Sequence, residues 1–242
     1  MKSIKVGIPE VLFENASFVV INKPPGYLSI PDRQASGRPC VVSFLKRTME
    51  SVFVVHRLDF ETSGIMLFAK TSDSHAQLCK QFEGREVKKI YWALVIGRPT
   101  QDKVELNFPI AEDLARPGKM RVHEKGKAAH STVEVLERFG RHSLVAITLH
   151  TGRTHQARLH CKHWGFPLLV DPDYGGQDAF YISSIKRSYK ESAEGERPVI
   201  SRVSLHARSL RFTDPDSGEL QFFEADLPKD MNVSIEKMRQ FH

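Results

Sequence analysis

Short runs of β-branched and aromatic residues, separated by loops and turn-forming residues, are the strongest constraint on how this chain folds. Four of them are nearly continuously apolar and predict strands: 17–22, 51–55, 65–70 and 88–97. Two further pairs of runs flank turn-forming residues and predict antiparallel hairpins: 131–139 with 143–150, and 203–212 with 220–225. Pairing between strands that are close in sequence therefore dominates the predicted sheet.

Two stretches between these strands are predicted to be helices. Ser72 and Asp73 can cap the first, over 72–84, and Thr154 can cap the second, over 154–164. A glycine stands at or just after the end of each, where helices commonly stop. Strands outnumber helices and come in hairpins, so we predict an α+β fold with a mostly antiparallel, mixed sheet and a few inserted helices.

Length and composition allow a substantial core. The chain has 242 residues, of which 40% are hydrophobic. We find no repeat and no low-complexity segment, so residues 1–242 are predicted to form a single domain. The segment 186–198 is charged and lacks periodicity, and we expect it to be a mobile loop.

Charge and cysteine content narrow the class of protein. A net charge of +6 and a pI near 9.2 mildly favour a polyanionic partner. Cys40, Cys79 and Cys161 are far apart, which argues against a disulfide framework or a zinc ribbon and fits a reducing cytosol. Neither a signal-peptide core nor a run of membrane-spanning length is present, so we predict a cytoplasmic protein without a membrane partner.

The stretch "VVHRLDFETSGIML" places an acid, Asp59, in a loop beyond a predicted strand. Arg57 and His56 precede it closely, and a neighbouring guanidinium favours the ionised carboxylate. One interpretation is a structural ion pair that steadies a tight turn, with Thr62 and its neighbours satisfying the backbone. The other is a functional site, which needs a partner from elsewhere in the chain.

A second turn rich in cations, "LHTGRTHQARLH", could supply that partner through Arg153 or Arg158. Asp59 gains a partner from this turn if both turns open on the same face of the sheet. The histidines at 150, 155 and 160 are spaced by five residues, which does not align ligands on a helical face, so a zinc site is not favoured. A supporting hydrogen bond is expected of His155.

Six elements, which follow one another along the chain in the same order as in a known family, carry a resemblance to that family. "HRLDFETSGIMLFAK" and "TGRTHQARLH" resemble the two long signatures of the RluA family of RNA pseudouridine synthases. The opening strand with its K-P-x-G turn, the "KKIYWALVIG" strand, the "YGG" turn and the "SLHARSLRF" strand are also similar to that family. Ala157 and Val170 depart from its pattern, as packing changes that touch neither the acid nor the arginines. The resemblance implies the pseudouridine synthase catalytic-domain fold over the whole chain, without an N-terminal S4 domain.

The implied activity is isomerisation of specific uridines in structured RNA, ribosomal or transfer RNA, to pseudouridine. The base leaves ribose C1′ through N1 and returns through C5, so no cofactor and no metal is required. The resemblance makes Asp59 the catalytic carboxylate. It either attacks C1′ covalently or removes a C2′ proton to give a glycal, and the sequence leaves both routes open.

The resemblance also implies substrate-binding roles for other residues. Arg158 is expected to pair with Asp59, Arg57 to replace the flipped base in the RNA, and Tyr91 to stack on the flipped uracil. His56, Thr62 and Arg153 complete the predicted substrate-binding set. Further candidate phosphate contacts are Lys89, Lys186 and Arg187. A monomer is expected.

Two alternatives from other classes stay open at this point. An RNA-binding protein or RNA chaperone could keep this fold without catalysis, although Asp59, Tyr91 and Arg158 are all present. A glycosidase acting on free nucleosides would need a second carboxyl group, and Glu61 is the nearest candidate. Release of free uracil would distinguish the glycosidase from the isomerase.

Overall fold

The computed structural model of the protein describes residues 7–32, 37–190 and 194–241. Its strands are β1 (Glu10–Glu14), β2 (Phe18–Lys23), β3 (Phe53–Val54), β4 (Ser63–Ala69), β5 (Lys88–Ile96), β6 (Lys103–Leu106), β7 (Ile110–Glu112), β8 (Met120–Val122), β9 (Ser131–Arg138), β10 (His142–Leu149), β11 (Leu205–Thr213) and β12 (Leu220–Glu224). Its helices are α1 (Val41–Leu45), α2 (Ser72–Glu83), α3 (Gln156–His163) and α4 (Lys229–Gln240), with a 3-10 turn at Ile182–Ser184.

These elements divide between two compact units. The first comprises the chain up to Ile90 together with His206–Asp226, and the second comprises Tyr91–Leu205 and the chain from Leu227 onward. Within the part of the chain that the structure describes, no helix is both long and apolar enough to span a membrane.

In the first unit, β2 pairs antiparallel with β1 on one side and with β4 on the other. β11 joins β4 in parallel, and β12 closes an antiparallel hairpin with β11. Apolar side chains of the sheet and of α2 form the core, including Phe18, Leu67, Leu78 and Phe212. The hairpin at 203–225 is therefore confirmed, and the β4–β11 pair makes the otherwise antiparallel sheet mixed.

In the second unit, β9 and β10 form the predicted antiparallel hairpin, and β6 extends it beside β9. β7 and β8 form a separate two-stranded sheet. α4 packs its apolar side on this unit, where Met231, Ile235 and Met238 join Leu94 and Phe180 in the core. The α+β class is confirmed, although α1, α4 and several short strands were not predicted.

Both predicted helix caps are wrong. Thr71, and not Ser72 or Asp73, caps α2, because its hydroxyl accepts from the amide of Ser74 at 3.1 Å in a capping box. α3 begins at Gln156 after His155, which has a φ of 56° and makes no side-chain cap. Thr154 is therefore not a cap, because the chain enters α3 through a left-handed residue.

The charged segment predicted to be mobile, 186–198, is described only in part. Its residues 191–193 lie outside the described residues. The described remainder contains no helix or strand. Its mobility stays a prediction.

Candidate active site

Asp59 lies in the loop between β3 and β4, and hydrogen bonds fix this loop on both sides of it. Ser29 Oγ donates to the carbonyl oxygen of Leu58 at 2.7 Å and accepts from the Leu58 amide at 3.0 Å. The amide of Thr62 donates to the carbonyl oxygen of Asp59 at 3.1 Å and closes a tight turn. The carboxyl group therefore extends from a well-held backbone, as positioning of a reacting group requires.

Lys23 is a buried cation that sequence analysis did not single out. Its side chain has 0% exposure. Its Nζ donates to three carbonyl oxygens, at 3.2, 2.9 and 3.2 Å: those of Pro24, Tyr27 and Phe60. The lysine of the K-P-x-G turn thus ties that turn to the residue after Asp59. A lysine at the end of an apolar strand, directly before two prolines, was the available signal.

His56 faces the strand that follows its own loop. Its Nε2 accepts from the amide of Leu67 at 3.0 Å, and its ring stacks on Phe82 with 5.0 Å between centroids. Burial, with a smaller contribution from the charge of Lys89, lowers the pKa of His56 to about 3. The imidazole is therefore neutral at physiological pH and helps to attach the Asp59 loop to β4.

Thr62, Ser63 and Gly64 end the loop where β4 begins. Thr62 is buried, and its Oγ1 has no hydrogen-bond partner among the described residues. Ser63 Oγ lies 2.9 Å from His206 Nδ1. Gly64 has a φ of 115°, and a Cβ there would lie 2.2 Å from the carbonyl oxygen of Ala207. Glycine is required because the backbones of β4 and β11 approach closely at this point.

The predicted RNA-contacting residues Arg57 and Tyr91 differ in exposure. Arg57 is exposed on the Asp59 loop, and it shares that loop with His56 and Thr62. Tyr91 lies on β5 in the second unit and is only 8% exposed. Its neighbour Trp92 is half-buried and joins the core of that unit.

Arg158 lies on α3 and is held by the D-x-x-Y-G turn. Its Nε and Nη2 donate to the two carboxylate oxygens of Asp171 at 2.8 and 2.7 Å, and Nη2 also donates to Asp173 at 3.2 Å. Its guanidinium carbon lies 4.8 Å from the ring centre of Tyr174. Arg158 and Asp171 are both buried. Sequence analysis did not single out the aspartates that hold Arg158, although it recognised the turn itself.

The turn "TGRTHQ" is organised by a buried glutamine, Gln156. Its Oε1 accepts from Thr151 Oγ1 at 2.7 Å and from the amide of Arg153 at 3.0 Å. Its Nε2 donates to the carbonyl oxygen of His130 at 2.9 Å. Arg153 in turn donates through Nε to the carbonyl oxygen of Ala128 at 3.0 Å. Gln156 therefore sets the conformation of the turn that carries Arg153.

The expected hydrogen bond of His155 is made to Tyr174. His155 Nδ1 lies 2.7 Å from the Tyr174 hydroxyl, which also accepts from the amide of Met120 at 2.8 Å. Because that hydroxyl accepts from the amide, its own proton is available to His155. These bonds connect α3 to the small β7–β8 sheet.

A basic cavity opens elsewhere on the second unit. It has a volume of about 800 Å³. Arg141, Lys186 and Arg187 contribute cations to its lining, and Ser183 and Ser184 contribute hydroxyl groups. Phe241 forms an aromatic wall, with Lys186 Nζ 5.4 Å from its ring centre. Two of the candidate phosphate contacts from the sequence therefore lie in one cavity.

The comparisons with known proteins point to a class of enzyme that modifies uridine within RNA. The family described as RNA pseudouridylate synthase matches residues 17–163. The chain therefore belongs to the RNA pseudouridylate synthase family. The resemblance drawn from the motifs is confirmed, and with it the enzyme class, an RNA pseudouridine synthase.

Two curated relatives and one solved structure illustrate the similarity. Ribosomal large subunit pseudouridine synthase D of Pseudomonas aeruginosa is 36% identical over 96% of this chain and 72% of its own length. The protein of the same name from Neisseria meningitidis serogroup B is 36% identical over 95% of this chain, which spans 61% of that relative. The structure of human RNA pseudouridylate synthase domain containing 1 has a TM-score of 0.71 and 25% identity, over 94% of this chain and 87% of that one.

Proposed function

We propose that this chain converts specific uridines of large-subunit ribosomal RNA to pseudouridine in the cytoplasm, acting as a monomer with Asp59 as its catalytic carboxylate. The observation that carries the proposal is the loop of Asp59, which Ser29, Lys23 and a tight turn hold in place within the family's H-R-L-D-x-x-T-S-G signature. The names of the relatives support ribosomal RNA as substrate.

The reaction is an isomerisation. The bond from uracil N1 to ribose C1′ breaks, a bond from C5 to C1′ forms, C5 loses a proton and N1 gains one. No electrons are exchanged with a partner and no group is lost, so this chain's own side chains suffice. Asp59 acts in its ionised form, either as nucleophile at C1′ or as base at C2′.

The other residues of the proposed site position the RNA. The guanidinium of Arg158 is held by Asp171. The family's pattern assigns Arg158 to pair with the catalytic carboxylate and Tyr91 to stack on the extruded uracil. Arg57 takes the place of the flipped base, which offsets the few kcal/mol that unstacking costs. Thr62 contributes a buried hydroxyl one turn from Asp59, His56 holds the loop to β4, and Arg153 contacts a phosphate.

The test is to map pseudouridines in total RNA of the source organism, with and without the gene, by carbodiimide labelling and primer extension. Wild-type protein should restore the missing sites, and Asp59→Asn, which keeps the side-chain shape but removes the charge, should not. Glu61→Gln, which changes an acid two residues away, is the matched control and should restore them.

Each other outcome argues against a specific part of the proposal. Sites that vanish only from transfer RNA overturn the ribosomal substrate. Activity of Asp59→Asn overturns the catalytic role of Asp59. Release of free uracil favours the glycosidase. Failure of Glu61→Gln to restore the sites would show that Asp59 is not the only carboxylate that the reaction needs. Absence of any changed site, under all growth conditions, favours an RNA-binding protein without catalysis.

A further inference from the structure

Three strand ends in the second unit bring two histidines and a glutamate together. Glu105 lies on β6, His130 directly precedes β9, and His150 directly follows β10. The amide of His150 donates to the carbonyl oxygen of His130 at 3.1 Å, and Glu105 is the register partner of Thr132. The two imidazole rings stack, with 4.2 Å between their centroids and an angle of 22°.

The donor atoms of this group converge. His130 Nε2 lies 2.6 Å from a carboxylate oxygen of Glu105. Thr132 Oγ1 lies 2.7 Å from His150 Nε2 and 2.8 Å from the other oxygen of Glu105. One ligand atom from each of Glu105, His130 and His150 lies within 4.8 Å of the other two.

We propose that Glu105, His130 and His150 form a binding site for a divalent transition-metal ion, with Zn²⁺ as the reference case. Zinc holds imidazole nitrogen and carboxylate oxygen at about 2.0–2.2 Å, which puts neighbouring donors roughly 3.3 Å apart. The ligand atoms of the three residues now lie within 4.8 Å of one another, so side-chain movements on the order of 1 Å would bring all three into contact with one ion.

The donor chemistry selects the class of ion. Two imidazoles and one carboxylate form the three-ligand arrangement that binds zinc or iron with positions left for water. Calcium and magnesium prefer oxygen ligands, which disfavours them here. Glu105 and His150 are exposed, so an ion can enter from solvent. A nitrogen that binds the ion cannot carry a proton at the same time, so metal and proton compete for the site.

The backbone of His130 connects the proposed ion site to the "TGRTHQ" turn. The His130 amide donates to Thr151 Oγ1 at 2.9 Å, and the His130 carbonyl oxygen accepts from Gln156 Nε2. An ion at this position therefore joins the ends of β6, β9 and β10 to the turn that carries Arg153. Because the ion binds the folded chain, it stabilises that chain by mass action. This inference concerns binding and does not depend on the proposed RNA substrate.

The test is a Zn²⁺ titration of the metal-free full chain, by competition with a chromogenic chelator. One ion per chain is expected, with binding weakened about tenfold or more in Glu105→Gln, His130→Gln and His150→Gln. His163→Gln, a change in an exposed histidine on α3, is the matched control and should bind as wild type. Zn²⁺ should raise the melting temperature of wild type and of this control, and not of the three variants.

Two results overturn the site. One is the lack of saturable binding of one ion per chain at micromolar Zn²⁺. The other is binding by all three variants within threefold of wild type, which would mark an adventitious ion only. Far-ultraviolet circular dichroism of each metal-free variant establishes that it is folded, and the exposed position of His150 makes its variant the decisive one.

Discussion

Arg158 and Asp171 form a buried, two-point ion pair. The Arg158 Nε and Nη2 atoms lie 2.8 and 2.7 Å from the two carboxylate oxygens of Asp171, and the aspartate side chain is 1% exposed. This geometry fixes the plane of the guanidinium, which a single hydrogen bond does not. The pair therefore sets the orientation of the Arg158 guanidinium.

Loss of this pair should destabilise the protein. In Asp171→Asn the buried charge of Arg158 loses its principal partner, and we expect the free energy of unfolding to fall by about 3 kcal/mol. Asp173→Asn is the control, because Asp173 is a third exposed, pairs also with Lys119, and accepts only one, longer bond from Arg158, at 3.2 Å. Its effect should stay below about 1 kcal/mol. Urea unfolding measures both, and equal losses would contradict the assigned importance of the two-point pair.

The unusual His56 should make stability depend on pH. Its pKa is lowered to about 3 in the folded chain from 6.5 in the unfolded chain, so between these values the unfolded state binds the extra proton. Stability from this group is therefore complete above pH 6.5 and is lost as pH falls, by up to about 1.4 kcal/mol per pH unit. His56→Gln should reduce the difference between unfolding free energies at pH 7 and pH 5. His163→Gln is the control. If the difference between pH 7 and pH 5 is the same in His56→Gln as in wild type and in this control, the His56 imidazole is not buried in the way described.

The close approach of β4 and β11 predicts that Gly64→Ala is destabilising. An added Cβ would lie 2.2 Å from the Ala207 carbonyl oxygen and would also strain the backbone, whose φ is 115°. We expect a loss of about 3 kcal/mol in the free energy of unfolding. Gly218→Ala separates the two causes, because Gly218 has a φ of 72° but open space around it, and should cost about 1 kcal/mol. Similar losses in both variants would show that collision with β11 is unimportant.

Local patterns predicted the local parts of this structure. The β9–β10 and β11–β12 hairpins followed from apolar runs flanking turn residues, and α2 followed from its helical spacing. The Asp59 loop could be predicted because a short charged stretch between two apolar strands must form a loop or turn.

Contacts between distant residues could not be predicted in this way. Asp171 is 13 residues from Arg158, and Glu105 is 25 residues from His130. The spacing of His150 to His155 and His160 argued against a metal, but its proposed partners come from β6 and from the residue before β9. Which residues meet across a sheet depends on the register of all its strands, and no short sequence motif shows that register.

The basic cavity of the second unit yields the last prediction, which rests on the proposed function. Arg141, Lys186 and Arg187 gather there beside hydroxyl groups, a combination suited to RNA phosphates. In Lys186→Ala with Arg187→Ala, we expect a higher KM for RNA and an unchanged kcat, because phosphates outside the reacting nucleotide contribute equally to ground and transition states. The slope of log Kd against log salt should fall by about one for each lost contact. Lys80→Ala with Lys229→Ala, a change in two exposed lysines on α2 and α4, is the control for the loss of two positive charges. A double variant that matches this control would exclude the cavity from RNA binding, since removal of surface charge alone would then explain the whole effect.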